Sequence, residues 1–172
     1  VRFGWKFTPF TDRSYFFPKT EIIEQLQQIK KPFRVLATDD RLVPPNVLSY
    51  YNIETVAGYD PMYQSRYEEY IAAMERGEAN ITPPFGFNRI ISPKTITSPL
   101  LSLLNVHYVL SMDTIASPLV KLLSEEGTTK LYSVVNKVPR AYFAEQFFFE
   151  KSKEDAMKRL YAKEFVPGKG AV

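Results

Sequence analysis

The nearly uninterrupted apolar run Val106–Leu110 constrains the fold more than any other feature of the sequence. A strand with one face in water alternates apolar and polar residues, whereas a strand covered on both faces is apolar throughout. The run therefore predicts a central strand with other elements packed on both sides of it. Ser98 and Pro99 come just before and predict the start of a short leucine-rich helix, because serine caps helices and proline fits their first turn.

Helices and strands alternate through the first third of the chain. Thr20 is placed to cap a helix over Glu21–Lys30, in which apolar residues recur at helical spacing. The β-branched and apolar run Phe33–Thr38 predicts a buried strand. A short helix over Asn46–Tyr51 and a second strand over Ile53–Ala57 follow. This alternation is typical of α/β proteins.

The rest of the chain adds further elements of both kinds. We predict a helix from Asp60 and Pro61 to Gly77, a helix from Ser117 and Pro118 to Ser124, strands over Thr129–Val135 and Ala141–Phe149, and a helix from Ser152, after which Glu164–Val172 leads toward another strand. The polar connection Asn136–Arg140 is compatible with an antiparallel hairpin between the two strands, which makes the sheet mixed. We therefore predict a single α/β domain over residues 1–172, with a mixed sheet of about four to six strands flanked by helices.

Two segments have no regular period. The aromatic-rich lead-in, residues 1–17, is expected either to pack onto the domain or to lie near a membrane interface. Residues 78–97 read as a long loop, which in a compact domain is either functional or packed over another surface. The longest apolar stretches fall short of the ~20 residues that a membrane helix needs. The chain begins without Met, and we expect it to be a soluble piece of a longer protein.

Charge and residue usage exclude several classes of function. Residues 151–172 hold six Lys or Arg against three Asp or Glu, which accounts for the whole formal net charge of +3. The balanced remainder lacks the basic stripe that nucleic-acid binding requires, so no nucleic-acid partner is predicted. With no Cys and one His, His107, thiol chemistry and Cys/His zinc sites are excluded. We predict no cofactor, no metal site and no catalytic residue, and we favour a hydrogen-bonded core position for His107 over a catalytic one.

Asp39, Asp40 and Arg41 follow the first predicted strand, where α/β sheets place ligand sites. Adjacent carboxylates there could bind a cation or a sugar hydroxyl. Two acidic residues followed by arginine in a turn are more often a solvated loop whose charges pair with each other. Both interpretations stay open at this point.

Three segments, Asn52–Tyr63, Ser98–Leu110 and Asn136–Ala141, resemble in order and spacing the soluble C-terminal region of bacterial YfhO-type membrane proteins. That family is similar to the GT-C glycosyltransferases, which use polyprenyl-phosphate sugars and join a bundle of transmembrane helices to an extracytoplasmic domain. The resemblance implies that the catalytic acid lies in a membrane-bundle loop, outside this chain. It further implies a non-catalytic accessory domain at the extracytoplasmic face of the bacterial cell membrane. Its partners would be the transmembrane part of the same polypeptide and a glycan or another cell-envelope polymer.

The resembling segments supply the first binding candidates. Tyr59, Asp60 and Arg140 combine a phenol, a carboxylate and a guanidinium, which together can hydrogen-bond a glycan or an anionic polymer. Two alternatives remain: a free-standing α/β domain that binds a small ligand at Asp39, Asp40 and Arg41, and a structural or oligomerisation module.

Overall fold

A computed structural model describes residues 12–83 and 90–172, and its main element is a five-stranded mixed sheet. The sheet strands are β1 (Arg34–Ala37), β2 (Glu54–Thr55), β5 (Val106–Ser111), β6 (Val120–Glu126) and β7 (Thr129–Val134). Four shorter strands form two small ribbons: β3 (Gly58–Tyr59) with β4 (Ile90–Ile91), and β8 (Gln146–Phe147) with β9 (Gly170–Ala171). The helices are α1 (Arg13–Phe16), α2 (Glu21–Gln28), α3 (Val47–Tyr50), α4 (Ser65–Arg76), α5 (Leu100–Leu103) and α6 (Lys153–Tyr161).

The strand order is β2-β1-β5-β7-β6. The first three strands in this order run parallel, whereas β7 runs antiparallel to both β5 and β6. From β1 the chain moves outward to β2 through α3, and then returns to the opposite side of β1 to form β5. The direction of winding therefore reverses at β1.

Helices cover both faces of the sheet, as the apolar central strand predicts. On one face Val35 and Leu110 pack with α2 and α3. On the other face Leu36 and Val109 pack with α4, α5 and α6. Successive residues of β1 and β5 thus enter two separate cores, because side chains alternate across a strand. The predicted fold class, α/β with a mixed sheet flanked by helices, is confirmed.

Helix ends encoded by a few adjacent residues form as expected. The hydroxyl of Thr20 accepts a hydrogen bond from the Ile23 amide at 3.3 Å and begins α2. The hydroxyl of Ser152 does the same for the Asp155 amide at 3.1 Å and begins α6. Each bond satisfies a first-turn amide that has no partner within its helix.

The helix predicted from Ser117 to Ser124 is wrong, because Val120–Glu126 is the edge strand β6. The Ser117 hydroxyl does accept a hydrogen bond from the Leu119 amide at 3.2 Å, but only a turn follows. Gly127, at a φ of 59°, helps to close a tight connection between β6 and β7. The ladder that β6 then forms along β7 outweighs the local signal for a helix.

The long helix after β3 starts later than predicted. Asp60 does not cap it; its carboxylate accepts a hydrogen bond from the Met62 amide at 2.8 Å within a separate turn. The helix α4 begins at Ser65 and ends at Gly77, whose left-handed φ of 70° is easy for glycine. Gly58 and Tyr59 are held in β3 by pairing with β4, so the chain needs several residues to turn into the helix.

The predicted hairpin of Thr129–Val135 with Ala141–Phe149 is also wrong. Both edges of β7 are occupied, one by β5 and the other by β6, so a third strand has nowhere to pair. Only Gln146–Phe147 becomes a strand, and it pairs in parallel with Gly170–Ala171 near the end of the chain. This partner strand lies within Glu164–Val172, the segment predicted to lead toward another strand.

Two predictions fall wholly or partly on residues outside the described ranges. Of the aromatic lead-in 1–17, residues 1–11 lie outside, and so do residues 84–89 of the predicted loop 78–97. The described remainder of that loop includes the strand β4, where Ile91 is buried.

Candidate functional site

The carboxyl end of β1 is the point where the direction of winding reverses. Open α/β sheets bind ligands outside the carboxyl ends of their strands at the position where the strand order reverses. The Thr38 amide still bonds the Leu110 carbonyl at 2.9 Å, and the chain leaves the sheet directly afterwards. Asp39, Asp40 and Arg41 therefore follow the strand end at which α/β proteins place ligand sites, and Asp40 lines a cavity.

Asp39 and Arg41 bind each other. The guanidinium Nε of Arg41 lies 3.0 Å from both carboxylate oxygens of Asp39, and the Arg41 amide donates to the same carboxylate at 2.8 Å. These hydrogen bonds, chiefly those from the side chain, lower the pKa of Asp39 to about 2. Asp39 is thus held as a carboxylate by Arg41, which is the self-paired arrangement considered for this turn.

Asp40 turns instead toward a cavity of about 410 Å³ against α4. Its carboxylate lies 3.5 Å from the Lys94 ammonium, and both side chains are about half exposed. The helix contributes Glu68, Ile71, Ala72 and Glu75, which share one face at helical spacing. Glu75 accepts hydrogen bonds from the Lys94 and Thr95 amides at 3.0 and 2.9 Å, and so fixes the opposite wall.

Ser92 is the polar group of this cavity without a partner in the structure. Its hydroxyl oxygen is buried and makes no hydrogen bond to the described residues. A buried hydroxyl normally has at least one hydrogen-bond partner. A ligand hydroxyl in this cavity would supply one once the Ser92 side chain rotated to bring its oxygen to the cavity surface.

A second cavity of about 190 Å³ lies against the start of α4. Its walls include Arg34, Asp60, Tyr63 and Tyr67, and Ile91 lines both this cavity and the larger one. The Tyr67 hydroxyl donates a hydrogen bond to the Val56 carbonyl at 2.5 Å. Burial raises the pKa of Tyr67 to about 12, so this phenol stays protonated. We call the two spaces the α4 cavities.

Tyr59 lies beside the α4 cavities rather than within their walls. Its amide donates to the Asn46 side-chain oxygen at 3.2 Å, and its carbonyl accepts from the Asn46 side-chain nitrogen at 2.9 Å. Its phenol ring is about half exposed. Of the candidates from the resembling segments, Asp60 therefore lines a cavity and Tyr59 flanks it.

Arg140 lies beside Glu54, the first residue of β2. Its Nη1 donates to the Glu54 carboxylate at 2.6 Å, and Arg34 at the start of β1 donates to the same oxygen at 3.3 Å. The Arg140 hydrogen bond is the largest cause of the lowered pKa of Glu54. Arg34 also lines the smaller of the α4 cavities, so it connects Arg140 indirectly to Asp60.

The three segments that resemble the YfhO type meet around this pair of arginines. Glu54 of the first segment contacts Arg140 of the third. From the second segment, the Asn105 side-chain nitrogen donates to the Val138 carbonyl at 3.0 Å, and Nε2 of His107 lies 3.2 Å from the same oxygen. His107 is thus a half-buried, hydrogen-bonded residue, as predicted.

A cavity of about 680 Å³ on another part of the surface differs in chemistry. Its walls are mainly apolar and include Leu101, Val120 and Val134. Among its lining residues Lys137 carries the charge, and its ammonium lies over the Tyr108 ring at 4.8 Å. Charged side chains are more numerous in the walls of the α4 cavities, which makes these the candidate site.

Sequence reasoning missed several residues of the α4 cavities. Lys94 and Ser92 lie in a segment without periodicity, so no local pattern singles them out. Glu68 and Glu75 could have been found, because with Ile71 and Ala72 they form one face of a strongly predicted helix. The same pattern is equally typical of an ordinary solvent-exposed helix face.

Comparisons of the chain with protein-family models, curated proteins and solved structures find no match. Within residues 12–83 and 90–172, no helix is long and apolar enough to cross a membrane. The same residues contain no group of three or more His, Cys, Asp or Glu arranged to hold a metal ion. The described residues form an α/β domain in which two cavities with charged walls lie along α4, the larger of them including Asp40 just after β1.

Proposed function

We propose that this chain is a non-catalytic accessory domain of a YfhO-type membrane glycosyltransferase, and that it binds glycan in the α4 cavities. The resemblance of three separate segments supports the family assignment. Glu54 and Val138 contact residues of the other resembling segments. These contacts hold one end of the sheet together, which gives the three segments a common structural role.

The observation that carries the binding function is the pair of cavities placed along one helix and sharing Ile91. The larger cavity offers Asp40, Lys94 and Ser92, and the smaller offers Asp60 and Arg34. Sugars present hydroxyl groups at the ring edge and apolar C–H faces, so they suit walls that mix charged side chains with isoleucine and tyrosine. Two adjacent cavities suit a chain of at least two sugar units.

Under this proposal the partners of the domain are the transmembrane part of the same polypeptide and a glycan or cell-envelope polymer. The domain faces the outside of the bacterial cytoplasmic membrane. Reading the complete open reading frame tests this context directly. Many hydrophobic segments of ~20 residues in the same polypeptide support it, and their absence contradicts it.

Titration calorimetry with oligosaccharides of increasing length tests the binding function. We expect affinity to rise from the mono- to the disaccharide and then to level off, since two cavities are available. Asp40→Asn and Asp60→Asn, one in each cavity, should both weaken disaccharide binding. Glu164→Gln, an exposed carboxylate in the loop after α6, is the matched control and should leave it unchanged.

A free-standing domain that binds a small ligand is the second candidate, favoured by the location of Asp40 where the winding reverses. It predicts no gain of affinity with ligand length and no effect of Asp60→Asn. A structural or oligomerisation module predicts no saturable binding of any sugar, together with a concentration-dependent mass in sedimentation velocity. The same set of titrations and sedimentation runs therefore distinguishes the three functions.

A further inference from the structure

An exposed aromatic surface lies on a segment that contributes no residue to the walls of the α4 cavities. Phe143 is 100% exposed, Phe147 is 66% exposed and Phe149 is 94% exposed. We call these three residues the aromatic surface. Single exposed apolar residues are ordinary, but three phenylalanines within seven residues are not, since phenylalanine is among the most often buried residues.

The aromatic surface is presented by a fixed segment of the chain. The Phe148 amide donates to the Ala171 carbonyl at 2.9 Å, and the Gln146 amide donates to the Lys169 carbonyl at 3.2 Å. The strand partner fits closely, because a Cβ on Gly170 would lie 2.9 Å from the Phe165 ring. The backbone position of the phenylalanines is thus set by β9 and by the residues under it.

Alternation along the segment separates an inner from an outer side. Phe148 packs near Phe165, with ring centroids 6.4 Å apart, and the Arg159 guanidinium lies 4.9 Å from the Phe148 ring centroid. Glu150, two residues on, bonds the same arginine at 2.9 Å. Because side chains of an extended chain alternate, Phe147 and Phe149 point away from the body.

Cations accompany the aromatic surface. Lys151 follows Phe149 by two residues and is exposed. The two carboxylates of the segment are already held by cations, Glu145 by Lys169 at 3.6 Å and Glu150 by Arg159 at 2.9 Å. Exposed Glu154 and Glu164 also lie in the residues that follow, and residues 141–172 together hold six Lys or Arg against five Asp or Glu.

We propose that the aromatic surface docks on an anionic lipid bilayer, with Phe143, Phe147 and Phe149 entering the headgroup region and Lys151 contacting acidic headgroups. Phenylalanine is among the residues that enter the boundary between headgroups and acyl chains in interfacial segments that also carry lysine. Lysines close to an acidic bilayer strengthen binding electrostatically. Protein interfaces are also enriched in phenylalanine but are depleted in lysine, so exposed Lys151 favours the bilayer over a protein partner. This inference concerns a surface remote in the chain from the α4 cavities and goes beyond glycan binding.

Co-sedimentation of the 172-residue chain with vesicles tests the proposal. Equimolar phosphatidylglycerol and phosphatidylcholine is the anionic vesicle, and phosphatidylcholine alone is the neutral one. We expect binding to the anionic vesicle and much weaker binding to the neutral one. Phe147→Ser combined with Phe149→Ser should lower the partition coefficient roughly tenfold or more. Lys151→Gln should lower it about fivefold.

The matched control replaces Leu122 and Leu123 of β6 with serine, since these are 44% and 43% exposed on a distant strand. It should bind like the unaltered chain. Residues 1–11 are identical in all these proteins, so differences between them report on the substituted side chains. Phe149→Ser alone, at a nearly fully exposed position, replaces the double variant if circular dichroism shows that the latter is unfolded.

Three results overturn the proposal: equal binding to neutral and anionic vesicles, equal binding of the phenylalanine variant, or an equal loss in the leucine control. A dimer in sedimentation velocity that disappears in the phenylalanine variant also overturns it, because the surface is then a contact between two copies. Oligosaccharide titrations do not depend on these residues. Failure here and failure of the proposed function are therefore separate outcomes.

Discussion

Arg140 donates a hydrogen bond from Nη1 to the Glu54 carboxylate at 2.6 Å, across 86 residues of sequence. Arg34 donates to the same oxygen at 3.3 Å, so one carboxylate joins the starts of β1 and β2 to the segment after β7. The Glu54 and Arg140 side chains are 51% and 41% exposed. Water screens such a pair, and its role is to fix position more than to add stability.

Replacing Glu54 with glutamine should therefore cost only about 0.2–1 kcal/mol of unfolding free energy near neutral pH. The pKa of Glu54 is lowered from its ordinary value of 4.5 in the folded chain, chiefly by Arg140. A carboxylate with a lowered pKa stabilises the fold above its unfolded pKa, and this contribution is lost as pH falls through the folded pKa. Urea denaturation of both proteins from about pH 7 to about pH 3 should show their difference shrinking.

Glu164→Gln is the control for that series and should match the unaltered chain at every pH. A difference between Glu54→Gln and the unaltered chain that stays constant, or that grows toward acid, would contradict the assigned role of Arg140.

Leu36 tests the core between the sheet and the layer of α4, α5 and α6. Its side chain is fully buried, so Leu36→Ala leaves a cavity and should cost about 2–5 kcal/mol of unfolding free energy. Leu123→Ala on the exposed side of β6 should change it by less than about 0.5 kcal/mol. The urea midpoints of the two variants compare their unfolding free energies. Similar losses of stability in both would contradict the buried position of Leu36.

Gly77 tests the end of α4. Its amide bonds the Ala73 and Met74 carbonyls, and its φ of 70° is the left-handed conformation that a side chain disfavours. A Cβ there meets no atom within 4 Å, so Gly77→Ala isolates the backbone cost, about 1–2 kcal/mol. Gly77→Asn should cost less, because asparagine tolerates this conformation. Thermal unfolding ranks the stability of the three proteins. Equal stability of the unaltered chain and the Gly77→Ala variant would exclude a left-handed backbone conformation at Gly77.

Ser152 tests the start of α6. Ser152→Ala removes the acceptor for the Asp155 amide and should cost about 0.5–2 kcal/mol, whereas Ser152→Thr should retain most of the stability. The Ser152 hydroxyl is also the largest cause of the lowered pKa of Asp155, with Lys158 second. A carboxyl titration by NMR should therefore show that pKa rising toward its ordinary value of 3.8 in the alanine variant. No rise would mean that the serine hydroxyl does not bond the carboxylate.

Features that depend on a few neighbouring residues could be predicted from the sequence. Thr20 and Ser152 cap helices through bonds that span three residues, and Val106–Leu110 is apolar because both faces of β5 are covered. These features were enough for the fold class. They were not enough to predict the strand Val120–Glu126, because Ser117 and Pro118 before it are typical of the start of a helix.

The tertiary structure decided which segments pair and which polar groups converge. β7 has two edges, and their occupation by β5 and β6 left the 141–149 segment to pair with the end of the chain. Asp40, Glu75 and Lys94 meet in one cavity although they lie on three separate parts of the chain. A local pattern cannot specify such contacts, because their free energy depends on chain segments that only folding brings together.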